Sequence, residues 1–228
     1  ALPRRVRPTE ESDRTGSGMD ETSGSWRRAL RYGVPVLVSN LVLAVSSPAW
    51  AETVTVAALG DSLTAGYGLP DGDGFVPELQ AWLTARGADV EIVNAGVSGD
   101  TTAGGLSRVD WTLTPEVDAM IVELGGNDLL RGIDPAVSRE NLSGILAAGR
   151  EAGVEILLVG LRAGGNYGPE YQGDFNAMYS ELAAEYDVSL FADFFAPLTA
   201  DGDADAARDR FMQADGIHPN AEGVDIVV

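Results

Sequence analysis

Short apolar runs alternate along the chain with longer segments in which apolar residues recur at the spacing of a helix. The short runs are rich in β-branched residues and are bounded by Gly, Asn or Asp, a pattern typical of buried strands. The pattern predicts strands over residues 53–58, 90–93, 118–124, 154–159 and 188–191. It predicts helices over residues 75–86, 101–113, 135–152 and 170–186, and a terminal helix that begins near 220.

The regular alternation of strands and helices predicts an α/β fold. Strands joined by a helix pair in parallel through right-handed crossovers, and the helices then cover both faces of the sheet. The carboxyl ends of parallel strands lie along one edge, which is where open α/β sheets bind their ligands. We therefore expect a five-stranded parallel sheet in which the polar residues that follow the strands converge at this edge.

The first 51 residues do not share this pattern and divide into two parts. Residues 1–18 are polar and aperiodic, and we expect them to be disordered or to lie upstream of the true start, because Met19 is the first methionine. Residues 19–51 have the layout of an export signal: a basic segment, an apolar run too short to span a bilayer and an Ala-Trp-Ala cleavage site. This layout predicts cleavage after Ala51, a periplasmic or secreted protein and a mature domain over 52–228. A disordered tail with an amphipathic anchor is the alternative.

The composition excludes several kinds of site. The chain has no cysteine, which rules out disulfides, thiolate metal sites and a cysteine nucleophile, and its single histidine, His218, rules out a multi-histidine metal site. We therefore predict no metal and no cofactor. The net charge is −20, and beyond residue 51 eight arginines face thirty acidic residues, so nucleic acid and anionic membranes should be repelled. We expect a monomer that acts on a small molecule, without stable membrane insertion.

A candidate nucleophile follows the first predicted strand, in the run Leu59-Gly60-Asp61-Ser62-Leu63. A sharp turn at the strand end would direct the hydroxyl of Ser62 into the crevice at the sheet edge. A serine hydroxyl is a weak nucleophile at neutral pH, and it needs a base, a group that orients this base and donors for the oxyanion. The same residues also fit an ordinary Asp-Ser helix cap after a glycine turn.

The candidate for the base is His218, in the run Asp215-Gly216-Ile217-His218-Pro219-Asn220. Histidine titrates near neutrality, which suits general-base work. Asp215 lies three residues earlier, so one turn can bring its carboxylate to Nδ1 of the imidazole and hold the reactive tautomer. The structural alternative is that Asp215 or Asn220 caps the terminal helix while His218 lies in the loop.

Candidate oxyanion donors follow two other predicted strands. Asn127, after Gly125-Gly126, can donate from its side-chain amide, and Gly99 can donate its backbone N–H, as can Ser62 itself. Each of these is also a common turn residue. Several separate turns each supply a group that acyl transfer needs. This combination favours a catalytic role for these residues over an ordinary role in turns.

These blocks resemble the GDSL, or SGNH, hydrolases, a family named for Ser, Gly, Asn and His in four ordered sequence blocks. The blocks of this chain are Gly60-Asp61-Ser62-Leu63, Gly99, Gly126-Asn127-Asp128 and Asp215-Gly216-Ile217-His218. Flanking matches extend the resemblance over residues 52–223, and the chain looks closest to the secreted bacterial arylesterase and acyl-CoA thioesterase I subgroup.

The resemblance implies a flavodoxin-like three-layer α/β/α fold with a Ser62 nucleophile, a His218 base and Asp215 as the group that orients it. It implies an oxyanion hole formed by the backbone N–H groups of Ser62 and Gly99 together with the side chain of Asn127. It also implies that a loop over 129–133 borders the acyl groove. The substrate contacts that it implies are Leu129, Leu130, Arg131, Asn166 and Tyr167.

The chain departs from the subgroup at two places, and these departures affect the expected acyl site and the expected support of the catalytic loop. The run Ala163-Gly164-Gly165 stands where the subgroup usually has proline, which predicts a more flexible loop and a broader acyl site. The final helix is also expected to be shorter than in the family, which would weaken the support of the loop that holds Asp215 and His218.

The expected function is a secreted, metal-independent serine hydrolase of carboxylic esters and thioesters that works through an acyl-enzyme. Aryl esters and acyl thioesters are the expected substrates, with lysophospholipids as a further class. One alternative is a carbohydrate acetylesterase of the same superfamily, which Asn166-Tyr167-Gly168 and Leu130-Arg131-Gly132 disfavour. The other is a non-catalytic periplasmic binding domain, which the complete Ser, Asp and His set disfavours.

Overall fold

A parallel sheet organises the part of the chain that the structure describes. The computed structural model describes residues 53–200 and 202–228, so the predictions for 1–18 and for a signal peptide over 19–51 lie outside the described residues. The sheet has the strand order β2-β1-β3-β4-β5, and every neighbouring pair is parallel. Strands β1 to β5 span Val54–Gly60, Val90–Gly96, Ala119–Glu123, Glu155–Val159 and Ser189–Phe191.

The strand order creates a crevice beside β1. Because β2 and β3 lie on opposite sides of β1, right-handed crossovers place the helices before and after β2 on opposite faces of the sheet. The register pairs Gly60 at the end of β1 with Gly96 of β2 and with Glu123 of β3. These three strands therefore end at one level, and the residues that follow them enter the same crevice.

The helices follow the strands in the predicted order. Helices α1 to α8 span Ser62–Ala65, Phe75–Ala85, Thr102–Thr112, Gly126–Arg131, Pro135–Ala152, Pro169–Tyr186, Ala204–Phe211 and Ala221–Val227. Single turns of 3-10 helix cover residues 165–167 and 196–199. Helix α5 has the predicted bounds, because Asp134 caps its first turn by accepting a hydrogen bond from Ala136 N at 2.9 Å.

Two helices differ from the prediction. The loop expected over 129–133 is wrong, because the short helix α4 occupies most of this segment. The backbone of Gly125 has φ +120°, and this conformation turns the chain from β3 directly into α4. Helix α7 was not predicted, because Ala207 is its one buried residue and the segment therefore lacks an apolar period.

The helices pack in two layers around the sheet. Helix α5 contacts both α3 and α6 in one layer, and α2 contacts α8 in the other. The core between sheet and helices contains completely buried side chains, among them Leu59, Val122, Leu158, Leu146 and Phe175. This architecture confirms the predicted α/β/α class. Within residues 53–200 and 202–228, no helix is long and apolar enough to cross a membrane.

Candidate active site

The turn between β1 and α1 presents Ser62 at the edge of the sheet. β1 ends at Gly60 and α1 begins at Ser62, with Asp61 between them. Oδ1 of Asp61 accepts a hydrogen bond from Leu63 N at 3.0 Å and so caps the helix. The helix-cap interpretation is therefore correct for Asp61, and this cap leaves the Ser62 hydroxyl free to bind elsewhere.

Ser62, His218 and Asp215 form a chain of hydrogen bonds. Nε2 of His218 lies 2.8 Å from Oγ of Ser62, and Nδ1 lies 2.6 Å from Oδ2 of Asp215. The other carboxylate oxygen of Asp215 accepts the backbone N–H groups of Ile217 at 2.9 Å and of His218 at 3.1 Å. The cap of α8 is Asn220, whose side chain accepts a backbone N–H of the first turn at 2.9 Å. The two roles that the sequence left open are thus divided between Asp215 and Asn220.

The surroundings of Asp215 favour its ionised form. The hydrogen bond with His218 and the backbone bond from Ile217 lower the pKa of Asp215 from 3.8 to about 2. An ionised carboxylate accepts the hydrogen on Nδ1 of the imidazole, which leaves Nε2 as the acceptor for the Ser62 hydroxyl. The ring of Tyr67 lies against the imidazole with 4.6 Å between ring centroids. Asp215 and Tyr67 therefore hold the His218 ring in its orientation from two sides.

The structure brings Asn127 next to Ser62. Nδ2 of Asn127, in the first turn of α4, donates a hydrogen bond to Oδ2 of Asp61 at 3.0 Å. An amide nitrogen carries two hydrogens, so one remains for a ligand. The conformation of α4 is reinforced by Asp128, which is completely buried and accepts bonds from Thr102 N at 2.8 Å and from Ser138 Oγ at 2.9 Å. These bonds tie α4 to α3 and α5, so the Asn127 amide has a rigid support.

Gly99 lies in the turn between β2 and α3. Its backbone has φ +84°, a conformation that favours glycine, and Nη2 of Arg131 donates to its carbonyl oxygen at 2.8 Å. In the described part of the chain, neither the N–H of Gly99 nor that of Ser62 donates a hydrogen bond to another residue. Both N–H groups are therefore available to a ligand.

A cavity of about 350 Å³ opens beside Ser62 and has mainly apolar walls. Ser62, Asn127 and two predicted substrate contacts, Leu129 and Leu130, line it. Further residues, none of them predicted as a substrate contact, also line it: Leu161, Phe195, Leu198, Ala207, Met212 and Ile217. The apolar run around Phe195 was the available signal, but it lacks a helical or strand period and gave no basis for a prediction.

Three predicted substrate contacts lie outside the lining of this cavity. Arg131 reaches the carbonyl of Gly99, as described above, and Tyr167 donates from its hydroxyl to Leu130 O at 3.2 Å. Asn166 is exposed in the single turn over 165–167. Their contact with a substrate stays a prediction. Among the described residues, no group of three histidine, aspartate or glutamate side chains is placed to hold a metal ion.

Comparisons with known proteins identify one family and several relatives. The family described as GDSL-like Lipase/Acylhydrolase matches residues 58–226. Esterase TesA of Pseudomonas aeruginosa is 40% identical over 185 residues, which cover 81% of this chain and 89% of the relative. The thioesterase 1/protease 1/lysophospholipase L1 of Escherichia coli strain K12 is 35% identical over 199 residues, which cover 87% of this chain and 89% of the relative. Among solved structures, the SGNH-hydrolase family esterase AlinE4 is 45% identical with a TM-score of 0.65, covering 76% of this chain and 90% of its own.

These matches confirm the resemblance that the four sequence blocks indicated. The family match spans most of the chain, and the two relatives exceed 30% identity over nearly their whole length. Two of these relatives are named esterases and one is named a thioesterase and lysophospholipase. The chain belongs to the GDSL-like lipase/acylhydrolase family and is a carboxylic ester hydrolase of the serine esterase and thioesterase type.

Proposed function

We propose that Ser62 is the nucleophile of this hydrolase, His218 its general base and Asp215 the group that orients the base. The hydrogen-bonded chain of 2.8 Å and 2.6 Å beside an apolar cavity is the observation that supports the proposal most directly. Oγ of Ser62 attacks the carbonyl carbon while its proton passes to Nε2 of His218. The bond to the leaving oxygen or sulfur then breaks, and His218 returns the proton to it. Water, activated in the same way, cleaves the acyl-Ser62 ester and releases the acid.

The tetrahedral intermediates carry a negative charge on the former carbonyl oxygen. In this proposal the backbone N–H groups of Ser62 and Gly99 and the second amide hydrogen of Asn127 are the donors for that oxygen. Donors held rigidly before the reaction are effective, because no reorganisation is needed as the charge develops. The rigid attachment of α4 and the free N–H groups described above support this assignment.

The acyl chain of the substrate occupies the apolar cavity beside Ser62. A volume of about 350 Å³ lies within the usual range of small-molecule sites, roughly 300–1,000 Å³. Aryl esters, acyl thioesters and lysophospholipids each join an apolar group to a reactive carbonyl, and they are the substrate classes that we propose. The names esterase and thioesterase/lysophospholipase, carried by the relatives, support these classes.

A hydrolysis panel on the 52–228 protein tests this function. The panel contains phenyl acetate, p-nitrophenyl esters of increasing chain length, the matching acyl-CoA thioesters and a lysophospholipid, and the Ser62→Ala variant is the blank. We expect ester and thioester turnover well above the blank, unaffected by a chelator. Turnover no faster than the blank with every substrate would contradict the proposal, and loss of turnover in chelator would contradict its independence of metal.

The cavity wall is expected to control acyl-chain length. Ala207 is buried on α7 and lines the cavity, so Ala207→Phe should remove room for part of a long chain. At roughly 0.8 kcal/mol for each buried methylene, losing two methylenes lowers kcat/KM by about tenfold. We expect this loss with long-chain esters and little change with acetate. Ala206→Phe, at an exposed neighbouring position of α7, is the matched control. An equal loss with acetate and with long chains would show that the cavity does not hold the chain.

The proposal includes export of a monomeric hydrolase. The basic segment, apolar run and cleavage motif within residues 19–51 support a signal peptide that is removed after Ala51. We expect the protein isolated from a bacterial periplasm or medium to begin at Glu52, which N-terminal sequencing would check. An intact N-terminus on a protein retained in the cytoplasm would contradict this part of the proposal.

A further inference from the structure

Glu123 is a completely buried carboxyl group that the hydrogen-bonded chain from Ser62 to Asp215 does not use. It is the last residue of β3, and its Oε2 accepts a hydrogen bond from Thr64 Oγ1 at 3.0 Å. Its Oε1 has no hydrogen-bond donor within the described residues, and none of their basic side chains forms an ion pair with it. A buried carboxylate with an unsatisfied oxygen and no cation is costly. The neutral acid is therefore the favoured form at this position.

The buried carboxyl group beside Glu123 belongs to Asp61, which is 2% exposed and follows Gly60, the residue of β1 that pairs with Glu123. The two buried carboxyl groups thus lie at the ends of paired strands, and two such groups held side by side are stable when they share one proton. Asp61 already accepts N–H hydrogen bonds from Leu63 and Asn127, at 3.0 Å each, and these favour its ionised form. The proton accordingly belongs on Glu123, which becomes the donor.

The electrostatic surroundings agree with this geometry. Burial, and then the charge of Asp61, raise the pKa of Glu123 well above its usual range. Burial also raises the pKa of Asp61, against the hydrogen bonds from Leu63 and Asn127 and the charge of His218. Among the described residues, a further titratable group that faces the pair is Tyr179 of α6, whose own pKa is raised by burial. Burial and the charge of Asp61 thus oppose a second negative charge on Glu123, while the hydrogen bonds to Asp61 keep the existing charge there.

We propose that Glu123 is a positioning residue of the oxyanion hole, which stays protonated and donates a hydrogen bond to Asp61. This bond holds the Asp61 carboxylate in the orientation that binds one amide hydrogen of Asn127. The second amide hydrogen of Asn127 then points to the substrate oxygen. The inference rests on the proposed role of Asn127. It adds Glu123, at a strand end that no substrate touches, to the residues that hold Asn127 in position.

The protonation state can be measured without any substrate. In the infrared difference spectrum between wild type and Glu123→Gln at pH 7, we expect the carbonyl stretch of a protonated carboxylic acid in the wild type alone. Glu155→Gln, at the exposed start of β4, is the matched control and should keep this band. A carboxylate band in its place would show that Glu123 is ionised and would overturn the inference.

The role of Glu123 is tested by a double-mutant cycle with Asn127. Glu123→Gln keeps a donor for Asp61 and should keep kcat within about threefold, whereas Glu123→Leu should lower kcat about tenfold or more with KM little changed. In an Asn127→Ala background, Glu123→Leu should cost less than about threefold. An equal loss in both backgrounds would overturn the inference. The Ser62→Ala blank separates this inference from the proposed hydrolase function. If the effects of the Glu123 and Asn127 substitutions are additive while Ser62→Ala remains inactive, the role of Glu123 fails and the proposed nucleophile stands.

Stability provides a third readout, which does not require Glu123→Leu to fold. The folded protein keeps a proton that an unfolded glutamate releases above its ordinary pKa of 4.5. The folded state therefore binds more protons than the unfolded state above this pH, and its stability falls as the pH rises. Glu123→Gln lacks this penalty, so its melting temperature should rise relative to wild type as the pH increases above about 5. A difference that does not change with pH would contradict a proton held by Glu123.

Discussion

Replacing Ser62 by alanine is expected to lower kcat by roughly 10³-fold or more with every substrate of the panel. Oγ is the atom that forms the acyl bond, and it lies 2.8 Å from Nε2 of the base. Without it, water must attack the substrate directly and the acyl-enzyme route is lost. KM should change little, because the cavity walls that bind the acyl group are untouched. Steady-state kinetics measures kcat and KM, and thermal melting of the same preparation checks that the variant is folded.

A covalent probe gives this prediction a second readout. A fluorophosphonate reacts with an activated serine, so it should label wild type and leave Ser62→Ala unlabelled. Ser180→Ala, at an exposed position on α6, is the matched control and should keep both labelling and turnover. Near-normal turnover or undiminished labelling of Ser62→Ala would remove Ser62 from the nucleophile role.

Replacing Asn127 by alanine is expected to lower kcat by about 10²-fold and to leave KM nearly unchanged. The amide donates to an oxygen whose negative charge grows in the transition state, so its contribution appears in kcat more than in substrate binding. Asn127→Asp should be at least as damaging, because an ionised carboxylate has no hydrogen to donate and would face Asp61 across the present 3.0 Å hydrogen bond.

The loss at Asn127 has to be separated from a loss of fold. Circular dichroism and the melting temperature should stay close to wild type for Asn127→Ala, since Asp128 and its partners hold α4. Asn94→Ala, at an exposed position on β2, is the matched control and should retain turnover. An unchanged kcat in Asn127→Ala would exclude the side chain from the oxyanion hole and, with it, the positioning role of Glu123.

Local patterns in the sequence were sufficient to predict the order of strands and helices and several residues of the site. A strand or a helix leaves its period in consecutive residues, and capping residues such as Asp134 mark the helix ends. A parallel sheet then follows from the alternation, because strands connected through helices have few other arrangements. The chemistry of an acyl transfer restricted the base to His218, since the chain has no other histidine.

Tertiary structure decided which of two local roles each site residue has. Asp61 and Asn220 are the helix caps, whereas Asp215 turns to the imidazole. Local sequence allowed both assignments, because an aspartate before a helix fits a cap and a triad equally well. The contact between His218 and Ser62 joins residues 156 positions apart, and only the folded sheet brings them within 2.8 Å.

The cavity wall and the proton on Glu123 also depend on the tertiary structure alone. Ala207 belongs to a helix without an apolar period, and its position in the cavity follows from how α7 packs. Glu123 stands in an apolar run that predicted a strand, and a strand pattern carries no information on the protonation of one carboxyl group. Its state is set by burial and by Asp61, which lies at the end of the neighbouring strand and 62 positions earlier in the chain. Electrostatic energies depend on distance in space, and the sequence specifies that distance only through the complete fold.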